Sequence, residues 1–363
     1  MTRTRYINGK FTAQATTGVQ RVASRLVQAL DRQADAGHGP WVLLCPPGSV
    51  APALSRIECR TVGRPGEALH VWEQLRLPRA ARGGRLVNLA GSAPWRAGDS
   101  ACMIHDAAVF DHPEAYSLAF RSWYRLLFRH LVRRGARLMT VSAFSQQRLA
   151  RALSVAPERL AVVVSGADHL RDVVADASVL DQHGLQPGRY LLAVGSANPT
   201  KNLDRLVAAH AALPIAASTP KLVIVGGRNA RVFSGPAVAA DHEGVLRAGH
   251  AGDAQLKALY EGARALVFPS IYEGFGLPPL EAMACGCPVL AARAASIPEV
   301  CGDAALYFDP LSTAAITQAM GRASHDDVLL QQLRQQGAAH AAAFTWAASA
   351  ERLCAALAHE GAA

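Results

Sequence analysis

No apolar run in the 363-residue sequence approaches the ~20 residues a helix needs to cross a bilayer. No basic segment followed by an apolar core opens the chain after Met1. The expectation is a cytoplasmic protein, at most peripheral at the inner face of the cytoplasmic membrane. Cysteine is sparse: the seven are Cys45, Cys59, Cys102, Cys285, Cys287, Cys301 and Cys354. An odd, scattered set argues against a disulfide framework. Cys285 and Cys287 lack companions at zinc-finger spacing, so no structural zinc is expected. No G-x-G-x-x-G occurs, which argues against a lone Rossmann dehydrogenase. No D-x-D pair occurs to carry a divalent cation, and no recognisable nucleic-acid reader motif is present.

What is present is a large apolar share, 50% of residues, and a charge that is unevenly spread. Residues 1–180 hold 24 of the 37 Lys and Arg and 13 of the 28 Asp and Glu. The basic surplus therefore lies entirely in the first half, which suits an anionic acceptor, a phosphate or a membrane surface. The length suggests two domains.

Short apolar runs alternate with stretches of helical period along the whole chain. Strands are expected at Arg5–Asn8, Trp41–Cys45, Leu138–Val141 and Leu160–Val164 in the first half, with helices over Gly18–Leu30 and Glu114–Arg134. Ser142 can cap the helix that follows it. The second half repeats the rhythm: strands at Tyr190–Val194, Leu222–Val225, Ala265–Phe268 and Pro288–Ala291 alternate with helices at Asn202–Ala211, Asp253–Gly262 and Leu277–Cys285. Such alternation implies α/β architecture with parallel sheets wound by helices on both faces. The reading is two Rossmann-like doubly wound domains facing across a cleft, residues 1–185 and 186–345. Gln186-Pro-Gly188 marks the boundary, and a last helix within 346–363 packs back on the first domain. Ligands of such folds bind beyond the carboxyl ends of the strands.

The most informative stretch runs from Pro269 to Val289 and holds two carboxylates eight residues apart. Glu273 lies in a glycine-rich loop after a buried strand, and Glu281 lies inside the next helix. Gly274 and Gly276 let backbone amides approach a ligand, and the helix start favours phosphate. A carboxylate before the loop can accept hydrogen bonds from sugar hydroxyls, and one on the helix can take a ribose diol.

This stretch resembles the E-x7-E signature of the large retaining glycosyltransferase family 4 with the GT-B fold. Gly18-Val-Gln-Arg21, His105-Asp106, Val141-Ser-Ala-Phe-Ser145, Lys201-Asn202-Leu203, Val225-Gly-Gly227, Ile297-Pro-Glu-Val300 and Gly302-Asp303-Ala304 extend the resemblance over most of the chain. It implies that Glu273 holds donor-sugar hydroxyls and Glu281 the nucleotide ribose. Lys201 neutralises the departing diphosphate, and the amides of Phe275, Gly276 and Leu277 bind the phosphates. His105 reaches the transferred sugar, and Gly18 lies near the diphosphate or the acceptor. His105, Lys201 and Glu273 are the catalytic candidates, with Ser196, Gly227, Arg228 and Gly274 completing the donor site. Many members carry an arginine where this chain has Ser196 and Thr200, and Arg228 or Arg231 is the candidate replacement.

The resemblance implies a retaining, metal-independent transfer with no cofactor beyond the nucleotide-sugar substrate. The first expectation is mannose from GDP-mannose, passed to a glycan or polyprenyl-diphosphate-linked saccharide in surface-polysaccharide assembly. A UDP-sugar donor is the alternative within that class. A non-catalytic nucleotide-sugar or polyanion-binding protein is the alternative outside it. Arg121, Arg125, Arg129 and Arg133, spaced by four beside several aromatics, suggest a basic helix face for the acceptor or for an anionic membrane.

Overall fold

In the computed structural model the described residues are 3–33, 40–196, 198–214, 219–227 and 243–358. They form two compact units, and each is organised around its own parallel sheet. The first unit comprises residues 1–110, 122–166 and 345–363, and the second residues 111–121 and 167–344.

The first sheet contains β1 (Arg5–Asn8), β2 (Trp41–Cys45), β3 (Glu58–Thr61), β4 (Arg85–Asn88), β5 (Ser100–Met103), β6 (Arg137–Thr140) and β7 (Leu160–Val162). Their order is β3-β2-β1-β4-β5-β6-β7, every pair parallel. Parallel strands covered on both faces read as continuous apolar runs, and all five residues of β2 are buried. Order reverses between β1 and β4, so the loops after these two strands diverge and leave space at their carboxyl ends. Helix Gly18–Arg32 buries Val22, Ala23, Leu26, Val27 and Leu30 along one side. Helix Trp346–Ala358 lies against it, and Arg85 and Arg137 at the starts of β4 and β6 donate to the carbonyls of Leu357 at 2.6 Å and Ala356 at 2.8 Å. Cations at a helix carboxyl end satisfy orphan carbonyls and suit the helix dipole. The last helix therefore belongs to the first unit.

The second sheet contains β8 (Tyr190–Val194), β9 (Lys221–Val225), β10 (Val245–Gly249), β11 (Ala265–Phe268), β12 (Val289–Ala292) and β13 (Leu306–Phe308). Their order is β10-β9-β8-β11-β12-β13, again parallel throughout. Here the reversal falls between β8 and β11, the strands that precede the lysine loop and the glycine-rich loop.

Apart from residues 111–121, the chain leaves the first unit after Gly166, not at Leu185, and returns at Thr345. The Gln186-Pro-Gly188 turn lies inside the second unit, where the Gly188 N–H donates to the Gly262 carbonyl at 2.8 Å. It connects helix Ser178–Gln182 to β8. The long helix expected from Glu114 begins only at Leu118, because Pro113 starts a separate 3-10 turn, Pro113–Ala115. Helix Ala143–Leu153 is capped as expected, with Ser142 Oγ accepting from the Ser145 N–H at 3.0 Å. All seven cysteines are free. Among the described residues no helix is long and apolar enough to cross a membrane.

Candidate active site

The loops that follow β8 and β11 are stitched together at the point where strand order reverses. After β8 the chain forms a 3-10 turn, Pro199–Lys201, begun by Asn198 Oδ1 accepting from the Thr200 N–H at 3.0 Å. Asn202 then takes a left-handed conformation, φ 57°, a region that asparagine tolerates. Its amide donates to the carbonyls of Pro269 at 3.1 Å and Pro310 at 2.8 Å. The Ile271 N–H donates to the Thr200 carbonyl at 2.9 Å. These bonds bring Lys201 and Glu273 together: Nζ stands 2.6 Å from Oε1, with side chains 21% and 12% exposed. The ammonium also lies 6.0 Å from the centroid of the Phe268 ring.

Ser296 supports the glycine-rich loop from beneath. Its fully buried hydroxyl faces the carbonyls of Glu273 at 3.0 Å and Phe275 at 2.8 Å. Gly276 has φ 105°, outside the range of an ordinary side chain, and turns the chain into helix Leu277–Ala284. Pro278 and Pro279 occupy the first turn of that helix and have no N–H. The donors remaining at the entry are thus the amides at and just before Leu277, the three that the sequence singled out. Phe275 and Leu277 are themselves buried, so the loop packs closely on the unit beneath it.

Glu281 is the fifth residue of the same helix, but its surroundings differ from those expected. Its side chain is 3% exposed. Oε2 accepts from the Tyr260 hydroxyl at 3.0 Å, and His169 Nε2 lies 3.0 Å from Oε1. Sequence reasoning missed both partners, which lie in segments with no motif of their own. Ser196 is half-buried in the loop after β8, and Gly227 is exposed just beyond β9. Arg228 and Arg231 lie outside the described residues.

In the first unit, Gly18 is exposed at the first position of its helix, and a Cβ added there would meet nothing within 4 Å. The fold itself does not require a glycine at this position. Asp106 caps the turn after β5, its Oδ1 accepting from the Ala108 N–H at 2.8 Å. His105 Nε2 lies 2.9 Å from the Leu89 carbonyl, which can only accept, so Nε2 carries the proton. Burial lowers the imidazole pKa below 6.5, and the Leu89 contact offsets only part of that. The ring is then neutral in the folded state near pH 7, with Nδ1 as an acceptor.

The unfolded chain protonates this ring near pH 6.5, whereas the folded chain does so only at lower pH. Stability linked to His105 is present above 6.5 and declines as pH falls through 6.5 towards the folded value. His105→Gln should therefore narrow the difference in Tm between about pH 7.5 and about pH 5.5. An unchanged difference in paired thermal melts would contradict the neutral assignment.

The four arginines of helix Leu118–Arg133 do not form one free basic face. Arg121 Nη1 donates to the Pro113 carbonyl at 3.2 Å. Arg125 donates to the carbonyls of Val109 at 2.7 Å and Phe110 at 3.4 Å. The guanidinium groups of Arg125 and Arg129 each lie 5.6 Å from the Phe110 ring centroid. The turn that precedes this helix carries carbonyls in need of donors, and the forked guanidinium supplies them. Of the four, only Arg129 and Arg133 are exposed, on a stretch that also exposes Trp123 and Leu126.

Comparison with known proteins gives a consistent result. Residues 180–340 match the family described as glycosyl transferases group 1. The chain is 33% identical over 261 residues to O-antigen chain mannosyltransferase B of Escherichia coli, spanning 70% of this chain and 68% of that one. It is 28% identical over 274 residues to the serotype-specific mannosyltransferase WbdA of E. coli, covering 72% of this chain but 33% of that longer protein. Among solved structures, WaaG, a glycosyltransferase involved in lipopolysaccharide biosynthesis, superposes with a TM-score of 0.71 over 99% of this chain and 100% of that one. At 16% identity the last likeness speaks for the fold alone.

Proposed function

The chain belongs to the glycosyl transferases group 1 family and has its GT-B fold, and from that premise we propose that it is a retaining, metal-independent mannosyltransferase of surface-polysaccharide assembly. The donor is GDP-mannose, and the acceptor is a glycan or a polyprenyl-diphosphate-linked saccharide. The mannosyltransferase relatives support the sugar. The observation that carries the site is the Lys201–Glu273 pair, 2.6 Å apart between two loops at the strand-order reversal.

In the reaction the bond between the sugar's anomeric carbon and the diphosphate oxygen breaks, and its electron pair leaves with the diphosphate. The acceptor hydroxyl oxygen bonds to the anomeric carbon on the same face, and its proton passes to the departing phosphate. Negative charge builds on the leaving group, so a fixed ammonium and the amides of the glycine-rich loop act where they lower the barrier most. Lys201 supplies the ammonium, and the amides of Phe275, Gly276 and Leu277 supply the rest. A diphosphate competes with Glu273 for Lys201, and the displaced carboxylate accepts hydrogen bonds from the sugar hydroxyls.

Thermal-shift measurements with GDP, UDP, ADP and dTDP test the donor. Ligand at about 100 times its Kd stabilises by roughly 2.7 kcal/mol. A shift with GDP alone supports the proposal, a shift with UDP alone reassigns the donor, and no shift with any of the four removes it.

Peripheral contact with an anionic membrane belongs to the same proposal, carried by a different set of side chains than four arginines. Trp123 and Leu126 offer apolar surface beside Arg129 and Arg133, the composition of an interfacial helix. Wild-type chain should co-sediment with vesicles containing phosphatidylglycerol, and a Trp123→Ser, Leu126→Ser double variant should remain in the supernatant. Equal sedimentation of the two removes the contact.

A further inference from the structure

The second acid of the donor motif is held in a frame that the motif does not contain. Glu281 is 3% exposed and His169 1%. A carboxylate in such a place is costly unless it is paired, and a short helix whose neighbours are Leu280 and Met283 would accept an apolar residue at lower cost. Two protein groups meet this carboxylate from different directions. The Tyr260 hydroxyl donates to Oε2 at 3.0 Å, and His169 Nε2 stands 3.0 Å from Oε1.

Both partners are fixed from behind. Tyr260 is a fully buried residue of helix Asp253–Gly262. His169 sits in the 3-10 turn Asp168–Leu170. The chain after that turn is strapped onto the same helix. Lys257 Nζ donates to the carbonyls of Arg171 at 3.0 Å and Val173 at 2.8 Å, and the Asp176 N–H donates to the Ala254 carbonyl at 3.0 Å. One helix thus carries Tyr260 directly and anchors the segment that carries His169. The carboxylate between them has its direction set from two sides.

We propose that His169 is a positioning residue of the donor site: together with Tyr260 it keeps Glu281 aimed, so that this carboxylate accepts from the ribose diol of a nucleoside diphosphate. The inference rests on the donor reading above and adds the residue that makes the ribose contact selective. A buried carboxylate that loses a polar neighbour 3.0 Å from one of its oxygens is freer to rotate, and rotation weakens its grip on hydroxyl donors.

The test separates positioning from general support of the fold. Calorimetric Kd values are measured for GDP and UDP and for their 2′-deoxy forms, on the full chain and on the variants His169→Ala, His169→Gln and Tyr260→Phe. Wild type should prefer the ribo form by about 10- to 100-fold. His169→Ala should weaken the ribo form by about tenfold while leaving the deoxy form nearly unchanged, so that the preference collapses towards one. His169→Gln, which retains an N–H donor, should recover most of it. Tyr260→Phe, a small change in a well-packed place, should reduce the preference even if His169→Ala fails to fold. Loss of affinity for ribo and deoxy forms alike, with the preference kept in His169→Ala and Tyr260→Phe, overturns the positioning role and leaves the donor site intact. Wild-type binding without preference overturns the ribose contact, and wild-type binding of neither nucleotide overturns the donor reading itself.

Discussion

Lys201→Ala is expected to lower kcat by about 10²–10³-fold, the usual cost of removing one fixed donor from a developing oxyanion. The ammonium is placed for this by its neighbours. Asn202 in its left-handed conformation ties the lysine loop to Pro269 and Pro310, and the Thr200 carbonyl accepts from Ile271 of the facing loop. The loss should fall on kcat more than on KM, because charge on the diphosphate grows as the glycosidic bond breaks. Glu273→Ala should be similarly damaging. The double variant should be little worse than either single one, because paired groups in one site act as a unit. An ordinary lysine at a helix start gives a different pattern, a change of no more than a few-fold in either constant. Since Lys201 and Glu273 retain some exposure, their separation should cost only about 1–3 kcal/mol of stability. Thermal melts of the variants therefore distinguish lost chemistry from lost fold.

The largest stability effect is expected in the first unit, at a buried charge pair that belongs to none of the motifs. Lys10 Nζ lies 2.6 Å from Glu73 Oε2, and the side chains are 5% and 2% exposed. Ser92 Oγ donates to Glu73 Oε1 at 2.6 Å, and the Asn8 amide reaches the same oxygen at 3.1 Å. Asn8 also donates to Asn88 Oδ1 at 3.0 Å, and Asn88 in turn to the Ala101 carbonyl at 2.9 Å. The network thus spans the carboxyl ends of β1 and β4, where the first sheet reverses its order. Glu73→Ala leaves a buried ammonium without its counter-charge and should destabilise by about 3–5 kcal/mol. Removing both charges with Lys10→Met and Glu73→Leu should cost much less, since the apolar pair carries no desolvation penalty. Urea denaturation of the three chains checks the order. A double variant as unstable as Glu73→Ala would mean that packing, not unpaired charge, governs this site.

How far the sequence revealed the molecule depends on where each signal was stored. Strands buried on both faces, such as β2 and β8, announce themselves by unbroken apolar runs. β3 does not, because it is an exposed edge strand of sequence Glu-Cys-Arg-Thr. Helix Asp327–Ala341 was also illegible. Its Gln- and Ala-rich sequence shows little period, and it is placed by packing on helix Leu277–Ala284. The donor motif was legible because its parts are local: Glu273, Gly276 and Glu281 lie within nine positions. Its supports were not. Ser296 acts through two carbonyls, and His169 and Tyr260 meet Glu281 only because the second sheet folds them together. The arginine repeat of helix Leu118–Arg133 misled for the converse reason: spacing fixes where a side chain starts, while nearby carbonyls decide where it ends.

The most direct test is GDP release from GDP-mannose, followed in EDTA with and without a polyprenyl-diphosphate-linked saccharide, for wild type and Lys201→Ala. The account predicts release that requires the acceptor, is indifferent to EDTA, and drops by about 100-fold or more in the variant. Release at equal rates from both proteins, or none from wild type with this or a UDP-linked sugar, would contradict it.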